Sequence, residues 1–356
     1  VSGLATAQAV QGHTVSVLTT DTLTPTLRIA TLHETIDGVN VIRVRNRIGG
    51  LRRVNLSTPL GMGAALHALS TVDIVHCHEL RTVENLIALY SLPRTVRIVV
   101  SPHGTLPIDT GRSAVKRVWD RLFGRMLAIR FDGICALTAS EANDARTYWS
   151  RVNIAAPPIA IVPNGVTLPP PKVAAHSEAL NVLFLGRLHE RKGLQYLIPA
   201  FAQVAIFNAH LRLTIGGPDE GMLARAVQLA AEYGAADRVT FAGMLDDVQR
   251  DRALAEADLF VLPAVGEGLS MAALEAMAAG VPVILTPGCH LPEVVPRGVG
   301  LIVPREITSL AAAMRELLTD RARRVSMGAA GRAWMAADYT WEAVARRAVD
   351  FYAQLL

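Results

Sequence analysis

The sequence predicts a parallel α/β protein built as two doubly wound units. Short β-branched runs alternate with helical periodicity along the whole chain, the length of 356 residues exceeds one ordinary domain, and a proline-rich break divides the alternation into two halves. A hydrophobic share of 51% suffices for two buried cores.

The chain opens inside a helical pattern. In its first half the runs over 13–19, 40–45, 73–77, 96–101, 133–138 and 160–163 are predicted strands. Apolar-periodic segments over 61–69, 83–92, 114–129 and 141–149 fall between them as helices. The break Pro163-Asn-Gly-Val-Thr-Leu-Pro-Pro-Pro-Lys172 favours an extended, semi-rigid linker. Strands restart over 181–185, 211–215, 238–241, 258–262, 281–285 and 300–303. Helices are expected over 194–205, 222–232, 248–256, 307–319 and 322–335, with a last one over 341–356. The predicted domains are therefore 1–168 and 169–338, followed by a terminal helix over 339–356. Two such units joined by one linker are expected to line a cleft with the carboxyl ends of their strands, where open α/β sheets bind ligands and where closure excludes water.

Composition narrows the function classes. No apolar run approaches the roughly 18 residues a membrane span needs, and a net charge of +4 is too small to argue for nucleic acid. The distribution of basic residues says more. Arg43, Arg45, Arg47, Arg52 and Arg53 cluster, and Arg112, Lys116, Arg117, Arg121, Arg125 and Arg130 recur among Trp119, Leu122, Phe123, Met126 and Leu127. The second run suits a basic amphipathic helix at a membrane surface or beside a phosphorylated lipid, and equally a solvated helix. Cys77, Cys135 and Cys289 are odd in number and lack metal-ligand spacing, as expected of core residues in a reducing cytosol.

The chemistry concentrates in Glu267-Gly-Leu-Ser-Met-Ala-Ala-Leu-Glu275. Ser270 is the expected N-cap and Gly280 the expected C′ residue of a helix over 271–279. The free amides of its first turn suit phosphate oxygens. Glu275 sits in an almost wholly apolar helix, where a carboxylate is costly unless paired or ligand-bound. Arg187 and Lys192, with Arg191 beside them, fall at the end of the first strand of the second half. An arginine offers planar bidentate contacts to phosphate and a lysine a point charge, although such a loop taken alone reads as solvated surface. Gly216-Gly-Pro-Asp-Glu-Gly221 follows a strand, and its glycines allow close backbone approach or a tight turn. His103 and Gly104 lie just past a predicted strand end. Glu141 is expected to cap a helix and Asn164 to fix the hinge. His76 and His78 alternate on a strand and point one way, yet no third ligand has suitable spacing, so a metal site is not expected.

Together the runs Ala257-Asp-Leu-Phe-Val-Leu-Pro, Glu267-Gly and Leu274-Glu-Ala-Met-Ala-Ala-Gly-Val-Pro-Val-Ile284 resemble the signature of retaining glycosyltransferases of family 4, group 1, which have the GT-B architecture. The resemblance implies two Rossmann-like domains with the terminal helix crossing back to the first. It implies transfer of a sugar, with retention, from a UDP- or GDP-linked donor to a glycan or lipid-linked acceptor, with no metal or other cofactor and no nucleic acid. In that scheme Arg187 and Lys192 carry the diphosphate charge. Glu267 with the Gly268, Leu269 and Ser270 amides takes the sugar hydroxyls, Glu275 the ribose and His103 the sugar from the opposite wall, while Gly217 borders the nucleotide. Without a nucleophilic carboxylate singled out beneath the ring, a front-face mechanism is expected, in which the leaving diphosphate accepts the acceptor's proton. The implied location is cytoplasmic, peripheral at the inner face of the membrane.

Two departures from the family stand out: Leu269 and Ser270 replace the common Phe-Gly, and the family's first strand and glycine-rich loop are expected ahead of Val1. A GT-B epimerase or phosphorylase and a non-catalytic sugar-nucleotide binder share the expected architecture. A nicotinamide dehydrogenase does not fit, because no Gly-any-Gly-any-any-Gly follows a strand. The base, the sugar and the acceptor stay open at this level.

Overall fold

A computed structural model describes residues 1–24, 26–50, 56–69, 71–108, 113–171 and 179–356. Arg52, Arg53, Arg112 and Lys172, named above, lie outside the described residues. The chain divides into two compact units, Val1–Gly165 with Trp341–Leu356, and Val166–Thr340.

The first unit holds strands β1 (Ser16–Thr20), β2 (His33–Ile36), β3 (Val39–Asn46), β4 (Pro59–Leu60), β5 (Ile74–His78), β6 (Arg97–Ser101), β7 (Gly133–Ala136) and β8 (Ile159–Ile161). They form two four-stranded sheets rather than the single doubly wound sheet expected: β1-β3-β2 with β4 on β3, and the all-parallel β5-β6-β7-β8. No ladder joins the two among the described residues. Antiparallel β2 and β4 were not expected. β2 turns into β3 through Asp37 and Gly38, both at positive φ, as a two-residue hairpin loop requires.

Alternation along β6 and β7 builds the core of this unit on both faces of the parallel sheet. Ile98, Val100 and Ile134 join Leu127, Tyr148 and Trp149 on one face. Val99 and Cys135 join Leu4, Val344, Ala348 and Phe351 on the other. The helix Trp341–Ala353 thus completes the first unit, as the resemblance implies. Its fit is tight, since a Cβ on Gly133 would lie 2.9 Å from the Phe351 ring.

The second unit contains β9 (Leu180–Leu185), β10 (Leu211–Gly216), β11 (Val239–Gly243), β12 (Leu259–Leu262), β13 (Val283–Leu285) and β14 (Gly300–Ile302). All pair in parallel in the order β11-β10-β9-β12-β13-β14. This is the doubly wound order, and its direction reverses between β9 and β12, where such sheets bind ligands beyond their carboxyl ends. Val166 bridges Thr340, and Arg332 Nη2 donates to the Pro169 carbonyl at 2.6 Å, closing the unit where the chain enters and leaves it.

Candidate functional site

The loops beyond β9, β12 and β13 are pressed together by backbone contacts that exclude side chains. Val265 N donates to the Arg191 carbonyl at 2.9 Å. A Cβ on Gly193 would lie 2.2 Å from the Pro263 carbonyl oxygen, and one on Gly288 would lie 2.7 Å from that of Ala264. Glu267 N donates to the Gly288 carbonyl at 3.0 Å, which fixes the start of the segment carrying both glutamates. Arg305 ties the loops from outside: its Nε donates to Pro263 O and its Nη2 to Glu190 O, each at 2.8 Å, with the guanidinium 4.7 Å over the Tyr196 ring.

Inside this frame Lys192 Nζ lies 2.6 Å from Glu267 Oε1, and the two side chains are only 15% and 14% exposed. The ammonium and the carboxylate are therefore brought together as a partly desolvated pair. Arg187 stands further out. Its Nη1 meets both carboxylate oxygens of Glu220 at 3.0 Å, but the partners are 63% and 38% exposed, so water and a competing anion reach them readily. Gly217 makes this approach fit: at φ +143° its N–H donates to Gly243 O at 2.7 Å, and a Cβ there would lie 1.9 Å from the Gly186 carbonyl oxygen.

The helix Met271–Ala278 starts as its sequence predicts. Ser270 is buried at its N-cap and accepts from Ala273 N at 3.4 Å, while Gly280 at φ +75° and Val281 donate back to Met277 and Ala276 in a Schellman close. Leu269 is buried beside the cap and Gly268 is half-buried. Glu275 follows on the same helix, half-buried, and burial pushes its carboxyl above the usual carboxylate range against the opposing pull of Arg250. Arg250 Nε lies 3.9 Å from Glu275 Oε2 and has no hydrogen-bond partner although buried. Nothing in the local sequence flagged Arg250, which sits on the helix Asp247–Glu256.

In the first unit His103 occupies a turn just past β6, at φ +53° with Gly104 at φ +73°. The turn is held by Glu141, whose carboxylate accepts from Gly104 N and, at 2.6 Å, from Leu137 N. Glu141 is the third residue after the N-cap Thr138, so the expected helix-capping residue also braces the His103 turn. Burial raises its carboxyl as well. His103 Nε2 lies 2.8 Å from His78 Nδ1, so one of the two histidines that alternate on β5 is joined to the His103 ring by a hydrogen bond. Among the described residues no group of three or more His, Cys, Asp or Glu is placed to hold a metal ion. A cavity beside His78, Ser101 and His103 is lined also by Asn164, Pro163 and Trp341.

The basic segments depart from expectation in part. Arg43 is buried, pairs with Glu34 and donates to Thr31 O at 3.0 Å, because its strand position points inward. Arg130 turns inward too, donating to Pro93 O at 2.9 Å. The helix over 113–130, widened by a π turn at Asp120–Gly124, packs Trp119, Phe123 and Leu127 against the core. Its other side exposes Val115, Val118, Leu122 and Ile129 between the exposed Arg117, Arg121 and Arg125. No helix of the described residues is long and apolar enough to cross a membrane.

Comparison with known proteins agrees with the two-unit division. The family model for glycosyl transferases group 1 matches residues 170–334, and that for the glycosyl transferase 4-like domain matches residues 1–165. A phosphatidyl-myo-inositol mannosyltransferase of Propionibacterium freudenreichii is 30% identical over 323 residues, covering 85% of this chain and 76% of that protein. A GDP-mannose-dependent alpha-(1-6)-phosphatidylinositol monomannoside mannosyltransferase of Mycobacterium tuberculosis is 40% identical over 187 residues, or 49% of this chain; the chain spans about half the length of that relative, 47%. Among solved structures, the sucrose-phosphate synthase of Thermosynechococcus elongatus superposes with a TM-score of 0.76 at 23% identity, covering 99% of this chain and 91% of that one, a likeness of fold.

Proposed function

The chain belongs to the glycosyl transferases group 1 family with the GT-B fold, and from that premise we propose that it is a retaining glycosyltransferase that moves a sugar from a nucleotide diphosphate donor to a lipid-linked or glycan acceptor without a metal ion. The observation that supports this reading best is the gathering of Lys192, Glu267, Arg187 and the capped helix Met271–Ala278 at the carboxyl ends of β9 and β12.

The donor's diphosphate carries the charge that Arg187, Lys192 and the first-turn amides of that helix are suited to meet. As the bond from the anomeric carbon to the diphosphate oxygen breaks, negative charge grows on the leaving group, and fixed cations lower the barrier by meeting it. On the same face the acceptor oxygen bonds to that carbon and passes its proton to a departing phosphate oxygen. Glu267 and the Gly268, Leu269 and Ser270 amides take the sugar hydroxyls, Glu275 takes the ribose, Gly217 borders the nucleotide and His103 is assigned to the transferred sugar. Arg187 trades Glu220 for phosphate at little cost, since that pair is exposed.

GDP-mannose is the first donor to test, because the mycobacterial relative is named for it, and an inositol phospholipid is the first acceptor class, because both relatives are named for one. The exposed Val115, Val118, Leu122 and Ile129 between arginines suit peripheral contact with an anionic lipid surface at the inner face of the membrane, where such an acceptor resides. A thermal-shift panel of GDP- and UDP-sugars, followed by NMR of the product's anomeric configuration, tests the proposal. Stabilisation by a nucleotide sugar with an α-linked donor giving an α-linked product is expected; an inverted product would refute retention, and a panel without any response would refute the donor site.

A further inference from the structure

The imidazoles of His76, His78 and His103 form an ordered column in the first unit. His76 and His78 sit on β5 with ring centroids 4.5 Å apart and planes 26° apart, and His78 and His103 follow at 5.1 Å and 16°. Each end of the column is fixed. His76 is hydrogen-bonded at both ring nitrogens, Nε2 to Ser101 Oγ at 2.8 Å and Nδ1 to Tyr352 OH at 2.6 Å. Tyr352 belongs to the helix Trp341–Ala353, so that helix anchors the column. At the other end the His103 turn is clamped by Glu141 on the Gly104 amide.

On the reading that His103 contacts the transferred sugar, we propose that His78 is the positioning residue that sets the ring orientation and tautomer of His103 through the Nδ1–Nε2 hydrogen bond, with His76 stacked behind it as a backstop. A neutral imidazole carries one N–H. One proton shared in the 2.8 Å contact therefore decides both rings at once. When His103 donates from Nε2, its Nδ1 is left as an acceptor; when His78 donates from Nδ1, the Nδ1 of His103 bears the hydrogen and donates. A ring facing a sugar hydroxyl gains specificity only if this choice is made before the ligand arrives. Neutrality is secured by burial, which lowers His76 to about 3 and His103 to about 4 and lowers His78 further still. The left-handed backbone at His103, uncommon for a residue with a side chain, aims the ring along this line instead of along the strand.

Three variants of the full chain separate the possibilities: His78→Phe keeps a stacking ring without the hydrogen bond, His78→Asn returns a hydrogen-bonding amide near the Nδ1 position, and His103→Ala removes the assigned sugar contact. Long-range ¹H–¹⁵N correlation spectra of the imidazoles at pH 7 report the tautomer without any turnover and report folding as well. The native chain is expected to show one dominant tautomer at His103, and His78→Phe a mixture. With GDP-mannose as donor, kcat is expected to fall about tenfold in His78→Phe, the size of one net hydrogen bond, with the donor KM within about twofold and most of the loss recovered in His78→Asn. An unchanged His103 tautomer in folded His78→Phe overturns the inference, as does an unchanged kcat in a background where His103→Ala is impaired. If instead His103→Ala turns over normally, the sugar assignment fails, and the spectra alone then decide whether His78 sets the tautomer.

Discussion

At the scale of single residues, the charges of the candidate site differ in how each is compensated. Glu275 was conspicuous in the sequence because a carboxylate in so apolar a helix demands a partner, but the partner, Arg250, lies on a different helix and no local spacing reveals it. Truncation to alanine at Glu275 is expected to raise the donor KM about tenfold or more while altering kcat less, as for loss of a hydrogen bond to a charged group; equal KM values in steady-state kinetics would remove Glu275 from the site. Its raised carboxyl has two opposite consequences with pH. On the proposed ribose contact, donor affinity uses the ionised form and is expected to weaken as pH falls through the raised pKa, as donor titrations at a series of pH values would show. Folding stability from the same group is fully present below the ordinary carboxylate value and is lost as pH rises through the raised one. Arg187 and Lys192 differ in the same structural sense: Lys192 is sheltered with Glu267 and Arg187 is exposed with Glu220. Their loss together, Arg187→Ala with Lys192→Ala, is expected to lower kcat about 100-fold, of the order seen when preorganised donors to a developing oxyanion are removed.

At the scale of elements, the parallel strands and their helices were legible because buried runs and apolar periodicity survive in any context, and the predicted bounds of β9 to β14 lie close to those observed. The hairpin of β2 and β3 was missed although Asp37-Gly38 is a strong turn signal, because β2 is mostly exposed and carries no apolar run. The column on β5 was missed for another reason. Alternating histidines signal only a shared face, and the third ring arrives from the end of β6. These neutral histidines make the first unit sensitive to acid. Their pKa values lie below the ordinary 6.5, so the stability they contribute is present above about 6.5 and is lost progressively as pH falls, down to about 4 for His103 and about 3 for His76. Denaturant titrations at pH 7 and pH 5 are expected to show the fall, and His76→Phe to flatten it. In the second unit Gly217→Ala places a Cβ 1.9 Å from the Gly186 oxygen. A loss of about 2 kcal/mol or more in unfolding free energy is expected, as for strain at a backbone position reserved for glycine; a variant as stable as the parent would contradict the close approach.

At the scale of the whole molecule, two α/β units follow from patterning that the sequence displays openly, whereas the return of the terminal helix to the first was implied by the family resemblance and the splitting of the first unit's strands into two sheets by neither. What patterning does not display is which basic residues are structural, and Arg43 and Arg130 turn inward while Arg117, Arg121 and Arg125 stay outside. Flotation with anionic vesicles therefore tests the proposed surface directly: Leu122→Asp with Arg121→Glu is expected to reduce the bound fraction several-fold, and unaltered flotation would detach that helix from the lipid. On the proposed function, the donor's pyrophosphate is held by protein cations and a helix end beyond β9 and β12. Calorimetric titration of GDP and UDP into the full chain in excess chelator, with the Arg187→Ala, Lys192→Ala double variant alongside, tests it most directly. Binding of at least one of the two diphosphates to the parent without divalent metal, weakened about 100-fold or more in the variant, is the predicted result. Equal affinity in parent and variant, or binding that appears only when a divalent ion is supplied, would contradict it.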